Sequence, residues 1–332
     1  MKQGASKCER KAVKKLIILK KYDILRLSEV LMMNKNTVLP ENFTIGHYND
    51  DYTGVTVILC GATGAIGGVD VRGGAPGTHE TDCLRNEKMM DKINGVALCG
   101  GSAYGLGAIA GVMEYLKNKR IGFPVGDKVV PIVPGAVIFD INDKEYRYPT
   151  SEFGYKAAEN ATATPLSGKI GVGKGATVGK IRGIKHSMPS GIGISSLNIG
   201  DATVTAVVCV NALGDVIDEK TGNILAGAKD DSGNYIHTVD FIFKNAASPT
   251  MGSNTTIGCI LTDAAITKVQ ANKLASISHN GLARTISPVH TDFDGDTMFC
   301  LSSGRRKADF LALEIAAQEA TALAVNDAVT SF

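Results

Sequence analysis

The sequence has no CxxC pair, although it carries seven cysteines. They stand singly at Cys8, Cys60, Cys83, Cys99, Cys209, Cys259 and Cys300, and the odd count and isolation argue against a disulfide framework or a zinc site. Most lie in apolar strand-like runs such as Val57-Ile58-Leu59-Cys60, where cysteine acts as a small hydrophobe in a reducing compartment. A basic excess is missing as well. The 35 Lys and Arg against 33 Asp and Glu leave a net charge of +2, which speaks against a generic nucleic-acid binder. No apolar run approaches the length of a membrane span. The basic start, Lys2 to Lys21, encloses only Leu16 to Leu19, too short for the apolar region of a secretory signal. A cytoplasmic protein is expected, with neither nucleic acid nor membrane as partner. The six histidines show no metal-ligand spacing and no HExxH occurs, so no metal and no cofactor is expected.

The 332 residues are 44% hydrophobic, enough for a sizeable core. Residues 1–40 read as a basic N-terminal extension, part helical and part loose, and residues 41–332 as a single domain. Apolar or alternating runs predict strands at Val55–Cys60, Gly95–Cys99, Val130–Ile141, Gly191–Ile199, Ala202–Val210, Thr256–Thr262 and Thr297–Ser302. Asn198-Ile199-Gly200-Asp201 predicts a hairpin between two of them. Three helices are predicted. Ala103–Lys119 is glycine-rich and must be stabilised by close packing rather than propensity. Ala264–Asn280 places Ile266, Val269, Leu274 and Ile277 near one face, and Lys307–Ala328 carries a stripe of alanine suited to lying on a sheet. Lys220–Ser253, rich in Gly, Asn, Asp and Lys, reads as a long surface connection leading into the strand that starts at Thr255.

Several familiar motifs fail. Gly61-Ala62-Thr63-Gly64-Ala65-Ile66-Gly67 resembles a dinucleotide loop, but the glycines that follow cannot sustain the helix such a loop must open. Gly171 to Lys180 echoes a phosphate loop without its first glycine or its hydroxyl residue. Gly100-Gly101-Ser102-Ala103-Tyr104-Gly105 is one residue out of register for a nucleophile elbow. Asp292-Phe293-Asp294-Gly295-Asp296 begins like a calcium loop but has Thr297 and Ser303 where Gly and Glu belong.

Gly252-Ser253-Asn254-Thr255-Thr256 admits a different chemistry. A threonine hydroxyl is a poor nucleophile until a base takes its proton, and an N-terminal threonine can use its own α-amine. That amine titrates at about 7.7–8.0, near working pH. It exists only once the bond after Asn254 is cut, and the Thr255 hydroxyl can make that cut by an N-to-O shift followed by hydrolysis. By itself, however, the tripeptide also reads as an ordinary strand start.

The chain from Phe43 onward resembles the P1 or DmpA-like N-terminal-nucleophile hydrolases, most closely the nylon-oligomer branch. The resemblance is carried by Val71-Arg72-Gly73-Gly74, Cys99-Gly100-Gly101-Ser102-Ala103-Tyr104-Gly105-Leu106, Gly135 to Asp140, Gly175 to Lys180, Val208-Cys209-Val210-Asn211, Gly252 to Ile257 and His290 to Thr297, in this order. It implies an α+β fold, an αββα four-layer sandwich. It also implies self-cleavage into 1–254 and 255–332, with Asn254 and Thr255 flanking the cut. Thr255 then matches the nucleophile and Lys180 a lysine near its amine. Asn211 matches an asparagine that helps bind the oxyanion, and Asp294 and Asp296 a carboxylate pair at the nucleophile. Tyr104 and Phe139 are expected at the substrate. Phe139 stands where the nylon hydrolases have tyrosine and cannot donate a hydrogen bond. The carboxylates, alternating about Gly295, are expected on one side with Lys180 and the Thr255 amine as partners. The implied activity is hydrolysis of linear amides of the 6-aminohexanoate oligomer type through an acyl-enzyme on Thr255. An aminopeptidase or β-peptidase acting on short peptides is the alternative, and an acyltransferase of ornithine acetyltransferase type a further one. The fragments are expected to stay associated and to form a tetramer of αβ units.

Overall fold

The computed structural model describes residues 38–141, 146–245 and 254–332. The predicted extension, apart from its last residues, and the segment 246–253 before Asn254 lie outside the described residues. Two large sheets are built from β1 (Phe43–Asn49), β2 (Gly54–Cys60), β3 (Ala65–Val71), β4 (Thr78–His79), β5 (Lys92–Ile93), β6 (Gly95–Cys99), β7 (Gly135–Val137), β8 (Ile192–Ile199), β9 (Ala202–Asn211), β10 (Thr255–Ala264) and β11 (Thr297–Arg306). The first sheet has the order β1-β2-β6-β7-β4 and the second β8-β9-β10-β11-β3-β5. Four helices cover them: α1 (Ala108–Asn118) and α2 (Ser151–Glu159) on the first sheet, α3 (Lys268–Thr285) and α4 (Phe310–Thr330) on the second.

Side chains alternate across a strand, so each strand of a middle layer must be apolar on both faces. On β9, Val204, Ala206, Val208 and Val210 face α3 and α4, while Val207 and Cys209 face the other sheet. On β10, Ile260 and Ala264 face the helices, and Ile257, Cys259 and Leu261 face the inter-sheet core. On β2, Val55, Val57 and Leu59 face α1 and α2, while Ile58 and Cys60 point between the sheets. The result is a four-layer αββα sandwich. Cys60, Cys99, Cys209, Cys259 and Cys300 are buried free thiols in these layers.

Most expected elements are present, with instructive shifts. The hairpin forms at Gly200, whose φ of 59° suits glycine. The helix expected from Ala103 breaks: Ser102–Gly105 makes one short turn, and α1 starts only after the poor helix former Gly107. The strand expected over Val130–Ile141 is interrupted at Pro131 and Pro134, which cannot donate to a ladder. Only Gly135–Val137 joins the sheet, and Lys128–Val130 pairs with Phe123–Val125 in a separate ribbon. Ala264 to Ile266 complete β10 and its exit, and α3 begins after Thr267, whose side chain forms a capping box with Gln270. Val269 therefore faces solvent, 59% exposed, rather than the core. The connection from Lys220 contains a short strand, Ile224–Ala226, and a helix, Thr238–Asn245. Asp215 anchors both by accepting from Ala228 N and from Thr238 N and Oγ.

One glycine in each of α1 and α2 serves close packing, the stabilisation the glycine-rich sequence requires. A Cβ on Gly111 would overlap the Ser151 carbonyl, and one on Gly154 the Ala108 carbonyl, so the two helix backbones touch. Gly154→Ala should therefore destabilise the fold by about 1–3 kcal/mol, the usual cost of overpacking, read as a lowered urea midpoint with unchanged slope.

Candidate active site

Asn211 ends β9 and Thr255 begins β10, and the two are direct partners across the antiparallel ladder. Both share the odd-numbered face of their strands with Cys209 and Ile257, which face the other sheet. The ladder thus carries both side chains into the space between the sheets, where Thr255 is 5% exposed and Asn211 1%.

The Asn254–Thr255 bond meets a second backbone here. The Thr255 hydroxyl donates to its own preceding carbonyl, Asn254 O. The Gly295 N–H donates to that same oxygen at 3.1 Å. Gly295 sits so close that a Cβ would lie 2.8 Å from Thr255 Oγ. The loop bearing Gly295 is seated on the glycine pair after β3. Arg72 N donates to Asp296 O at 2.9 Å and Ala75 N to Asp294 O at 2.8 Å. A Cβ on Gly73 would overlap the backbone of both aspartates, so only glycine allows this approach. The glycines that fail as a nucleotide loop continue into β3, and Gly73 ends up as the floor of the site.

Lys180 is buried, and its ammonium donates to Asn211 O and Asn211 Oδ1, each at 2.8 Å. Burial pulls its pKa down to about 7, against the opposing pull of acidic Asp294, Cys209 and Asp140. Asn211 Oδ1 also accepts from Thr177 N at 3.1 Å, and Nδ2 donates to Phe139 O at 2.9 Å. Phe139 thus enters the site through its carbonyl.

The carboxylates differ from the expected shared arrangement. Asp294 Oδ2 accepts from Thr291 N at 2.8 Å and Thr291 Oγ at 2.6 Å. Burial first, then the nearby Asp296 charge, push its pKa up to about 6. Asp296 has other partners: Thr256 N at 2.6 Å, and the backbone N and ring Nδ1 of His290 at 3.0 and 2.8 Å. Asp294 is therefore held within its own loop by Thr291, whereas Asp296 reaches β10 through the Thr256 amide.

Two residues without an assigned role in the sequence join the site. His290 is one. Asp140 is the other: it accepts from Thr53 Oγ at 2.7 Å and Gly101 N at 2.6 Å, and burial pushes it up to about 6. A Cβ on Gly100 or Gly175 would run into its carboxylate. The clustering of glycines in two separated motifs was the sequence signal for a buried group between them. Tyr104 lies outside these hydrogen bonds among the described residues. It is exposed and stacks on Tyr148 with ring centroids 5.1 Å apart, beside Tyr146. Among the described residues no group of three or more His, Cys, Asp or Glu is placed to hold a metal ion.

The Lys180 shift has a sign that can be checked. Its folded value of about 7 lies below the ordinary 10.5, so between those pH values the unfolded chain holds a proton the folded chain has released. Lys180 thus adds stability as pH rises from 7 towards 10.5. Lys180→Met should lack that gain, seen as a difference in slope between the two curves of unfolding free energy against pH.

Residues 37–331 match the family model described as peptidase family S58. An uncharacterised aminopeptidase of Mycobacterium leprae (strain TN) is 41% identical over 268 residues, covering 77% of this chain and 72% of the relative. The 6-aminohexanoate-oligomer endohydrolase of Kocuria sp. (strain KY2) is 34% identical over 265 residues, covering 77% of this chain and 71% of the relative. Among solved structures, the L-aminopeptidase D-Ala-esterase/amidase of Ochrobactrum anthropi, described as a variant of the Ntn hydrolase fold, superposes with a TM-score of 0.66 at 16% identity, over 88% of this chain and 85% of that one. A Burkholderia sp. beta-aminopeptidase gives 0.64 at 20% identity, over 88% and 86%. The architecture is that of the Ntn hydrolases, and the chain belongs to peptidase family S58, as a hydrolase of amide bonds.

Proposed function

We propose that the chain cuts itself between Asn254 and Thr255, and that the freed Thr255 then hydrolyses linear amides. The carrying observation is that the Thr255 hydroxyl and the Gly295 N–H meet at one atom, the Asn254 carbonyl oxygen. Nucleophile and oxyanion donor are thus both present at the bond to be broken. In the first reaction Thr255 Oγ adds to the Asn254 carbonyl carbon, and Gly295 N–H meets the developing oxyanion. The C–N bond then breaks as the proton given up by Oγ passes to the Thr255 nitrogen, leaving an ester on Oγ and an amine on Thr255. Water hydrolyses the ester and frees the Asn254 carboxylate.

The new amine is the base for the second reaction. It takes the Oγ proton as Oγ attacks a substrate amide, and the proton passes to the departing amine. Water then releases the acyl group. Lys180, near neutral at working pH, limits the positive charge beside this amine, since a full cation there would depress the amine's basicity further. Asn211 Nδ2, oriented by its bond to Phe139 O, supplies the side-chain donor for the substrate oxyanion. Asp294 and Asp296 hold the loop that carries Gly295.

The two pieces, 1–254 and 255–332, stay together on this reading, because β10 lies between β9 and β11 inside the second sheet. We place the αβ units in a tetramer in the cytoplasm, where buried free thiols stay reduced. Among the described residues no helix is long and apolar enough to cross a membrane. Oligomers of 6-aminohexanoate are the first substrate class, supported by the relative that bears that name. Short peptides with a free amino terminus are the second, favoured by the 41% identity to a protein named as an aminopeptidase.

Purified protein should run as two fragments under denaturing conditions, the smaller one having the mass of a chain starting at Thr255. Thr255→Ala should remain one chain and lose at least about 10³-fold in amide hydrolysis. A Thr255→Ala protein that still splits after Asn254 would refute the mechanism. Side-by-side turnover of 6-aminohexanoate oligomers and β-alanyl dipeptides ranks the two substrate classes.

A further inference from the structure

Asp296 reaches the nucleophile strand with one oxygen and His290 with the other. Oδ1 accepts from Thr256 N–H at 2.6 Å. Oδ2 receives both the backbone N–H of His290, at 3.0 Å, and its ring Nδ1, at 2.8 Å. The carboxylate accepts from Thr256 N–H and His290 N–H, and with Nδ1 as the protonated ring nitrogen it accepts a third hydrogen bond from the ring. His290 has a left-handed backbone, with φ of 60°, and in that conformation its two donors converge on a single oxygen.

The ring is held from behind. It packs edge-on against His279 of α3, with centroids 4.7 Å apart and planes at 70°. The His279 Nε2 is 3.1 Å from the Asp70 carbonyl, which can only accept, so that ring is fixed in turn to β3. His290 Nε2 is buried and has no hydrogen-bond partner among the described residues. A buried polar atom left unsatisfied costs free energy, so this ring is kept for what its other nitrogen does.

We infer that His290 is a positioning residue for Thr255, acting through Asp296; this rests on the reading of Thr255 as the nucleophile. The peptide unit between Thr255 and Thr256 is planar, so holding the Thr256 N–H also holds the Thr255 carbonyl carbon. With that plane fixed, the Thr255 side chain keeps its aim at the Asn254 carbonyl before the cut and at the substrate after it. Asp296 is 1% exposed, so without the imidazole donor its carboxylate must turn to find another partner. The Thr256 amide would then lose its anchor.

The test uses the full-length chain. His290→Asn keeps tolerance of the left-handed backbone and puts an amide donor near the Nδ1 position. His290→Leu keeps bulk and removes the donor. H290L should slow self-cleavage and kcat by about 10²-fold with KM little changed, the size of effect a small misplacement of a reacting group produces. H290N should recover most of both rates, and the two variants should unfold at similar temperatures. Where H290L gives no folded protein, His290→Gln replaces it, because its longer amide places a donor at the Nε2 position instead. The inference is overturned if H290L cuts itself and turns over like the parent, or if both variants lose rate only in step with lost folded protein. If the parent is not cut after Asn254, or Thr255→Ala still is, the nucleophile reading itself fails. A normally cut parent with an equally active H290L sinks only the role of His290.

Discussion

Three ionisable side chains are buried around one peptide bond, Lys180, Asp294 and Asp296, and a half-buried fourth, Asp140, acts electrostatically on Lys180. A charge taken out of water must be met by donors, acceptors or an opposite charge, or it neutralises. That requirement organises the neighbourhood of Thr255. Lys180 finds both oxygens of Asn211, Asp296 finds Thr256 and His290, Asp294 finds Thr291, and Asp140 finds Thr53 and Gly101. Several of these donors are backbone groups, so the charges also hold the chain in place. Lys180 lowered to about 7 and Asp294 raised to about 6 are the electrostatic consequence of the same crowding.

Backbone donors can approach a buried carboxylate only where side chains leave room. This gives the scattered glycine motifs a common reason. Gly73 lets the segment after β3 lie against Asp294 and Asp296, and Gly100 with Gly175 makes space for Asp140. In sequence these stretches look like defective phosphate loops and a misregistered nucleophile elbow. In the folded protein they surround carboxylates of the protein's own. The two middle layers supply the rigidity, because β9 and β10 are apolar on both faces and fixed in register from Asn211↔Thr255 to Val204↔Thr262.

Much of the fold was legible in the sequence. Strands with apolar runs, the hairpin at Gly200 and the alanine stripe of α4 follow from period and turn chemistry, which are local. Errors fell where local signals compete with tertiary ones. Apolar Val130 and Ile132 look continuous, yet Pro131 and Pro134 leave Val130 in the ribbon and Ile132 outside any strand. Val269 fits the apolar face of an earlier-starting helix, but the Thr267 cap shifts α3 and turns it to solvent. The helix Ser151–Glu159 buries only small residues, Gly154, Ala157 and Ala158, and the sequence pattern does not single it out. It is held because its backbone touches that of α1.

For the site, sequence by itself determined only that a β-branched hydroxyl, Thr255, follows Asn254 at the start of a strand, a placement that self-cleavage chemistry can use and an ordinary strand start explains equally. Resemblance added Lys180, Asn211, Asp294 and Asp296. Tertiary structure decided which of these touch and how. It made Asn211 the cross-strand partner of Thr255, put the Gly295 amide on the Asn254 carbonyl, and separated the partners of the two aspartates. It also drew in His290 and Asp140 and left Tyr104 in an exposed tyrosine group. The physical reason is that residue type fixes what an atom can do, whereas its partner is set by strand register and by backbones meeting from distant parts of the chain, and neither is written in a local pattern.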